Sequence, residues 1–489
     1  MNKNYIPLLL FLFLFTVNAR SQQFREDFFK TGWIKEAGFK SFDFGTTVFN
    51  VQDFGACKDG IFDSTKGIQN AIDACYKAGG GKVVIPKGKY LCGSIFVKSN
   101  VHLHLEAESE ILGKMDIQGY EVRRTRVEGS EIDWPMGLIN VVDAQNVKIS
   151  GEGIINGRGQ AFWKKFWAME KEYLNNKVRW ALDTDCARPR LLLVQNSNNV
   201  HLGGLILKDS GFWTVHILYS KYVSVDGLII RNNDSGERAP STDGIDIDSS
   251  EFVLVQNCDV DCDDDNFCIK SGRNADGMRV NRPSRYIVIQ NNVAREGSGL
   301  ITFGSEISGG ISHVYVNNMK ADGTKRGIRF KSASVRGGYV KNILLENIDL
   351  NNIQWNVFEI TMNWNPKSSY PKLPEKYKNQ TLLPENWRIL LIPVVPAEKG
   401  ISTIENIFLN NIRVRNGRTA FKVEGFKECP VSNFVFNETR LHTREPGKIK
   451  FAANWIINAS SFTYENGKLP EITDCDNMDA FTSMMENND

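Results

Sequence analysis

The chain has 489 residues, 42% of them hydrophobic, and its 59 Lys and Arg against 57 Asp and Glu give a formal net charge of +2. This length allows a large buried core, and repeat architectures keep such a length within one domain. The balanced charge gives no reason to expect nucleic acid or an anionic membrane as a partner.

The first 21 residues have the pattern of a cleaved secretory signal. Lys3 gives a weakly basic start, an apolar run covers residues 8–15, and small residues for a peptidase follow over 17–21. The apolar run is too short to span a bilayer. We therefore predict a secreted or periplasmic protein, with a leader over residues 22–46 ahead of the folded domain.

One amphipathic helix is predicted over residues 63–78. Asp63 or Ser64 can cap its start, Ile68 and Ile72 fall on one face, and three consecutive glycines end it. A solenoid needs a cap over its open end. Because the helix precedes the strand-rich region, we assign it as an N-terminal cap.

Short β-rich runs recur from the middle of the chain at intervals of about 23 to 34 residues, a period typical of solenoids. One coil cannot bury its own apolar face, so coils must stack. We predict an all-β fold, a right-handed parallel β-helix, as a single domain over residues 47–460 with a tail over 461–489. The runs include 146–149, 199–202, 222–225, 252–255, 286–289, 313–316, 342–345 and 406–409.

Two segments interrupt the repeat. Residues 160–182 form a helical candidate that contains Trp163, Trp167 and Trp180, and residues 365–400 are rich in Pro, Lys and Asn. Insertions in a solenoid usually project from one face, often the binding face. We therefore expect both segments to wall off one end of a cleft.

The nine cysteines are an odd number, so at least one is unpaired, and no paired C-x-x-C indicates zinc. We interpret most of them as small buried hydrophobic residues.

Aspartates concentrate in two segments one short coil apart. Asp243 ends a Ser-Thr-Asp segment. Asp264 lies 21 residues further along the chain and is followed directly by Asp265. Equivalent positions on successive coils lie roughly 4.8 Å apart, so the three would form one acidic cluster. Glycosidic hydrolysis needs a carboxylic acid at the leaving oxygen and a carboxylate that activates water. Crowding raises one carboxyl pKa and keeps that acid protonated.

Two other interpretations of these aspartates remain open. Aspartate is common in turns, and a β-helix has many turns. The alternation of Asp259, Asp261 and Asp263 also suits calcium, but an EF-hand loop needs Gly and Glu where this chain has Asp264 and Lys270.

A cationic pair follows in the segment 327–331. Strand alternation places Arg329 and Lys331 on the same face. Two cations beside a carboxylate cluster suit a substrate that carries its own carboxylate. The alternative is an ordinary solvated strand whose charges protect a sheet edge.

Together these segments resemble glycoside hydrolase family 28, the polygalacturonase family, over about residues 47–440. The family signature has Asn-Thr-Asp, Asp-Asp, Gly-His-Gly and Arg-Ile-Lys in that order. Flanking segments such as 211–216 and 270–273 resemble the bacterial, exo-acting branch. The four signature segments read here as Ser241-Thr242-Asp243, Asp264-Asp265, Gly297-Ser298-Gly299 and Arg329-Phe330-Lys331.

The resemblance implies hydrolysis of α-linked galacturonate in pectin with inversion, and no metal and no cofactor. It implies that Asp264 is the general acid, and that Asp243 and Asp265 hold and deprotonate the attacking water. Arg329 and Lys331 would bind the galacturonate carboxylate.

Ser298 is the main departure from the family pattern, because it replaces a His that supports the acid. Serine can donate a hydrogen bond but cannot titrate near neutral pH. Some rhamnogalacturonan-cleaving members of the family also lack this His. We therefore expect Ser298 to contact the substrate and to favour the galacturonate–rhamnose linkage, with exo-polygalacturonase activity on homogalacturonan as the alternative.

Three further hypotheses remain. A pectate lyase shares the β-helix and the substrate, but the ordered aspartates argue against it. A non-catalytic pectin-binding solenoid would bind sugar without releasing reducing ends. A degenerate, weakly active hydrolase would explain the missing His. The oligomeric state is not indicated by the sequence.

Overall fold

The computed structural model describes residues 26, 28–378, 382–478 and 481. Nearly all strands pair in parallel and stack coil upon coil in three sheets, which we call A, B and C. This confirms the predicted right-handed parallel β-helix. The proposed signal segment lies outside the described residues, so export stays a prediction. Among the described residues, no helix has the length and apolar character needed to cross a bilayer.

The three sheets take their strands in turn along the chain. Sheet A contains Val48–Asn50, Gly81–Ile85, Val101–Leu105, Gln145–Gly151, Asn198–Gly203, Lys221–Asp226, Glu251–Gln256, Ser284–Gln290, Val431–Asn437, Ala452–Ala453 and Ile456–Asn458. Sheet B contains Asp59–Asp63, Gly88–Cys92, Ser109–Gly113, Ile154–Asn156, Ile206–Lys208, Ile229–Arg231, Asp259–Asp261, Val293–Ala294 and Ser461–Tyr464. Sheet C contains Ile95–Val97, Ile139–Val142, Leu192–Gln195, Val215–Leu218, Ile245–Asp248, Asp265–Lys270, Gly299–Phe303, Arg326–Lys331, Asn356–Thr361 and Glu471–Thr473. The long strands Ile311–Asp322, Tyr339–Asn351, Thr403–Glu424 and Arg440–Lys450 each pass through more than one sheet.

Sheet C shows why the chain folds into stacked coils. Ile247, Ile269, Phe303 and Phe330 occupy one register position on successive strands and are buried in the interior. Each such burial stabilises the fold by roughly 1.5–3 kcal/mol. Because strand side chains alternate, the neighbouring positions point outward, and on this sheet they carry polar and charged groups.

The predicted cap helix is present as Thr65–Lys77. Ile68 and Ile72 are fully buried against the first coils. Ser64 is the N-cap but forms no side-chain cap hydrogen bond, while the Asp63 carboxylate accepts a hydrogen bond from Thr65 N at 3.1 Å. Other short helices outside the insertions include Trp33–Glu36, Val51–Phe54, Ile117–Gly119 and Asn274–Val280.

The solenoid extends beyond the boundary predicted at residue 460. Ser461–Tyr464 and Glu471–Thr473 both pair in parallel with Arg440–Lys450, so part of the predicted tail completes the last coils. The leader also belongs to the folded body, because the Trp33 ring packs in a tilted arrangement against Tyr286 with ring centroids 5.7 Å apart. All nine cysteines are free and six of them are buried, which confirms the interpretation as small hydrophobic residues.

Both predicted insertions are helical in part, and they pack on each other. The rings of Trp180 and Trp387 lie 5.0 Å apart, and Trp387 Nε1 donates to Asp185 at 2.8 Å. A third insertion, the antiparallel hairpin of Val122–Val127 and Ser130–Pro135, was not predicted. The helices are Gln160–Asn175, Arg179–Ala181 and Leu182–Asp185 in the first insertion, and Pro366–Ser369, Glu375–Tyr377, Glu385–Leu390 and Ala397–Gly400 in the second.

Candidate active site

A cavity of about 200 Å³ lies on the outer surface of sheet C, where the turns from sheet B enter it. The strands of sheet C form its floor, and the hairpin and the two helical insertions form its walls. It is lined by Glu128, Arg179, Trp180, Asp183, Trp213, Ser241, Asp243, Asp264, Lys270, Arg273, Glu306, Lys331, Trp364, Asn365 and Ser368.

The three predicted aspartates are brought together by coil stacking. Gly244 N donates to the Asp265 carbonyl at 2.9 Å, which fixes the two segments in adjacent coils. Carboxylate oxygens of Asp243 and Asp265 lie within 4.8 Å of each other. The Asp264 carboxylate turns back to accept a hydrogen bond from Asp265 N at 3.0 Å. The acidic cluster predicted from the spacing is therefore formed.

Asp265 is held as a carboxylate. Its side chain is fully buried, Lys331 Nζ lies 2.7 Å from one oxygen, and Arg329 Nη1 lies 3.3 Å from the other. Thr302 Oγ1 donates to that second oxygen at 2.8 Å. Burial by itself would raise the pKa of Asp265, but the two cations outweigh it and hold this pKa well below the ordinary range.

The pKa values of Asp264 and Asp243 are raised, in contrast to that of Asp265. Burial and the charge of Asp265 raise the pKa of Asp264, and Lys331 offsets part of the effect. Burial and the charge of Asp246 raise the pKa of Asp243 well above its usual value, although Lys270 opposes this. Adjacent carboxyl groups with diverging pKa values can act as a protonated acid and an ionised base.

Lys270 links the cluster to a second set of acids that the sequence analysis did not identify. Its Nζ lies 3.5 Å from Asp243, 3.5 Å from Asp246 and 3.4 Å from Glu306, and it stands 4.7 Å from the Trp213 ring. Burial raises the pKa of Asp246 to about 8. The available signal was strand alternation, which places Asp246 and Lys270 outward on neighbouring strands.

The predicted cations Arg329 and Lys331 are both buried, although the sequence analysis expected them to face the substrate. Arg329 is paired with Asp265, and its Nε also lies 3.2 Å from Glu359. Lys331 lies 4.7 Å from the Trp364 ring and lines the cavity, whereas Arg329 is not among the lining residues. Both therefore neutralise protein carboxylates, and of the two only Lys331 reaches the cavity.

Ser298 occupies the next coil beside the acid. Its backbone N donates to the Asp264 carbonyl at 2.8 Å, and its own carbonyl accepts a hydrogen bond from Arg326 Nη1 at 3.3 Å. The side chain is half-buried and is not among the residues that line the cavity. The backbone of Ser298 therefore lies beside Asp264, as the sequence predicted.

The hairpin wall is anchored by a buried ion pair. Arg126 and Asp248 are both fully buried, with Nη1 and Oδ1 2.8 Å apart. Removing one partner of such a pair costs about 3–5 kcal/mol. At the tip, Arg273 N donates to the Gly129 carbonyl at 2.9 Å, and a side chain at Gly129 would collide with Arg273. Glu128 therefore reaches the cavity, and burial raises its pKa to about 7.

Arg188 anchors the helical wall to the Ser-Thr-Asp segment. Its guanidinium is fully buried between the rings of Phe166 and Phe212, at 4.4 and 4.5 Å. It lies 2.9 Å from Asp183 and donates to Ser241 at 3.3 Å. These contacts consequently fix the position of the helical insertion relative to the segment that carries Asp243.

One group of ligand atoms has metal-like spacing, namely Asp243, Asp265 and Cys268, within 4.8 Å of one another. Both oxygens of Asp265 already accept hydrogen bonds, from Lys331 and from Thr302. Burial raises the pKa of Cys268 well above its usual value, and the Lys331 ammonium 2.7 Å from Asp265 would repel a cation bound there. The donor set therefore does not fit a metal ion.

Comparisons with known proteins identify a family for this chain. Residues 75–378 match the model of glycosyl hydrolases family 28. A probable polygalacturonase from Vitis vinifera is 30% identical over 409 residues, covering 82% of this chain and 75% of that protein. An exo-poly-alpha-D-galacturonosidase from Dickeya chrysanthemi is 24% identical over 456 residues, covering 85% and 71%. The fold is similar to that of a hyperthermoactive exopolygalacturonase from Thermotoga maritima, with a TM-score of 0.69, 24% identity, and coverage of 92% of this chain and 96% of that one.

Proposed function

Because this chain belongs to glycosyl hydrolases family 28 and is therefore a glycoside hydrolase, we propose that it hydrolyses α-galacturonosidic bonds of pectin from a chain end, with inversion. The observation that carries the proposal is the adjacent pair of Asp264, which lines the cavity and has a raised pKa, and Asp265, which is fully buried and held as a carboxylate by Lys331 and Arg329. The polygalacturonase names of the relatives support pectin as the substrate.

In the proposed mechanism, Asp264 is the general acid. Its raised pKa keeps a proton available, and it donates this proton to the glycosidic oxygen as the bond from the anomeric carbon to that oxygen breaks. Asp265 is the ionised base and takes a proton from the attacking water. Asp243 lies close enough to Asp265 to hold the same water. The water oxygen bonds to the opposite face of the anomeric carbon, which inverts it, and inversion requires acid and base roughly 6.5–9.5 Å apart.

Lys331 is the cation that we assign to the substrate carboxylate, because it lines the cavity. Arg329, also predicted to bind that carboxylate, supports the site through Asp265 and Glu359. Arg273 adds a buried cation to the lining, and its Nε has no hydrogen-bond partner among the described residues. A buried unpaired donor favours a ligand that carries an acceptor.

The walls of the cavity support exo-action. A cavity of about 200 Å³ enclosed by three insertions has room for the end of a chain but not for an uninterrupted polymer passing through. The relative from Dickeya chrysanthemi carries an exo-acting name, which supports the same mode.

Homogalacturonan is our first candidate substrate, since the relatives are named for polygalacturonate. Rhamnogalacturonan is the second, and Ser298 favours it. Ser298 is smaller than the family His, and its backbone adjoins Asp264, where the leaving sugar would stand. A smaller side chain leaves room for the methyl group of rhamnose.

Replacing the proposed acid should abolish turnover without unfolding the protein. Asp264→Asn is nearly isosteric, and loss of general acid catalysis should lower kcat by about 10²- to 10⁴-fold. The measurement is release of reducing ends from polygalacturonan. The control is Asp263→Asn, whose side chain pairs with Lys325 outside the cavity and should leave the rate nearly unchanged. Retention of more than about a tenth of the activity by Asp264→Asn would refute its role.

The pH profile of kcat/KM should reflect two coupled carboxyl groups. Activity requires Asp265 ionised and Asp264 protonated, so the acid limb should fall below the ordinary Asp pKa of about 3.9 and the alkaline limb above it. Lys331→Gln removes the ammonium that depresses the pKa of Asp265, and the acid limb should therefore move to higher pH. Lys114→Gln, at the distant pair with Asp63, is the control. An acid limb unmoved by Lys331→Gln would contradict the assignment of Asp265 as base.

The products should be small and uniform from the first minutes of digestion, because only a chain end enters the cavity. Product sizing by chromatography, together with the viscosity of a polygalacturonan solution, tests this. Viscosity should fall slowly relative to the appearance of reducing ends, and an endo-acting enzyme on the same polymer provides the comparison. A rapid fall in viscosity would show that the walls do not close the cleft.

Ser298 should affect the choice of substrate. We expect Ser298→His to lower the ratio of kcat/KM for rhamnogalacturonan oligosaccharides to that for oligogalacturonides of equal length, because the imidazole fills the space beside Asp264. Ser298→Ala is the control, since it removes the hydroxyl without adding bulk. If the wild-type ratio favours oligogalacturonides and neither variant changes it, Ser298 carries no specificity.

A further inference from the structure

The turns from sheet B to sheet C continue the line of the active site toward the C-terminal coils. Ser298 N donates to the Asp264 carbonyl at 2.8 Å, and Lys325 N donates to the carbonyl of Gly297 at 2.9 Å. Trp355 N then donates to the Lys325 carbonyl at 2.8 Å. Each hydrogen bond joins one coil to the next, so these turns form a continuous ridge that begins at the proposed acid.

The ridge extends over two more coils. Thr419 N donates to the Trp355 carbonyl at 3.0 Å, and Thr419 lies opposite Glu445 in the strand register. Arg418 and Arg444 precede these two residues in their turns. Counting coils from Asp264, Arg444 is five strand spacings away, roughly 24 Å. We call Lys325, Trp355, Arg418 and Arg444 the turn ridge.

The distal part of the turn ridge carries uncompensated positive charge at Arg418 and Arg444, whereas Lys325 pairs with Asp263 at 3.4 Å. Arg418 and Arg444 are exposed, and neither forms an ion pair within the part of the chain that the structure describes. Both line a surface depression of about 550 Å³ in which the single acid among the lining residues is Glu445. The depression is lined by Asn352, Ile353, Gln354, Asn416, Arg418, Arg444 and Glu445.

An exposed aromatic ring stands between the active site and these arginines. Trp355 is 44% exposed, and the Arg326 guanidinium lies 4.5 Å from its ring centroid, which fixes the ring from one side. The exposed part of the indole offers flat apolar area beside the Arg326 cation. This combination suits a sugar ring whose C–H face packs on the indole while its carboxylate meets a cation.

We propose that the turn ridge binds the part of a polyuronate chain that extends out of the active-site cavity. The inference rests on the proposed function and deepens it, because it adds binding positions several sugar rings beyond the cleaved bond. Homogalacturonan offers a carboxylate on every ring, whereas rhamnogalacturonan offers one on every second ring. The ridge therefore favours long homogalacturonan over short oligosaccharides and over rhamnogalacturonan.

Binding is measured first, in an Asp264→Asn background that does not consume the polymer. The added double substitution Arg418→Gln and Arg444→Gln should weaken polygalacturonan binding about tenfold at low salt and reduce its salt dependence, because two exposed charge contacts are lost. Trp355→Ala should weaken binding without changing the salt dependence. Glu445→Gln should strengthen binding, since it removes the negative charge that lines the depression beside Arg418 and Arg444.

The matched control is Arg413→Gln with Arg440→Gln. These residues are exposed on the same two strands, lie opposite each other in the register of sheet B, and change the net charge equally. Binding by this control should equal that of the parent. Equal weakening by both double variants would mean that only net charge matters, and unchanged binding by the Arg418 and Arg444 variant would likewise overturn the proposal.

Kinetic measurements with Asp264 intact distinguish a failure of the turn-ridge proposal from a failure of the proposed hydrolysis. The Arg418 and Arg444 variant should raise KM for polygalacturonan about tenfold and leave kcat/KM for a galacturonate trimer unchanged, because a trimer does not reach the ridge. An equal effect on both substrates would overturn the ridge. Absence of hydrolysis by the wild type, with the binding results as expected, would refute the proposed function and leave the ridge intact.

Discussion

Successive coils of this solenoid lie one strand spacing apart, about 4.8 Å. This spacing determines which side chains of neighbouring coils come into contact in the active site. Side chains at equivalent positions must touch, so a polar residue facing outward on sheet C meets the outward residue of the next coil. Asp246 therefore lies beside Cys268, and Thr302 beside Arg329. A site built in this way has its geometry set by backbone hydrogen bonds and not by flexible loops.

The same spacing brings carboxylates close enough to repel one another, and nearby Lys and Arg side chains compensate this repulsion. Three aspartates within neighbouring coils would repel one another, and burial makes each charge more costly. Lys331, Arg329 and Lys270 are placed on the following strands or in the same strand, where they reach the carboxylates directly. The cations distribute protonation unequally, so that one carboxyl is ionised while its neighbour keeps a proton.

The insertions determine how a polymer can approach this cluster. The hairpin is fixed by Arg126 and Asp248, and the helical wall by Arg188 and Asp183. In both anchors a fully buried arginine pairs with an aspartate, and the pairs are attached to the coils that carry the catalytic aspartates. The walls are consequently fixed to the solenoid through these pairs.

The sequence alone determined the solenoid and the composition of its acidic cluster. The repeat period, the cap helix and the 21-residue interval from Asp243 to Asp264 each depend on local pattern and on one fixed spacing. Only the tertiary structure decided which charges meet. Lys270 reaches Glu306, Lys331 pairs with Asp265 while lining the cavity, and the hairpin brings Glu128 to the same cavity. These contacts join residues far apart in the chain, and their strength depends on distance and burial, which a linear pattern does not contain.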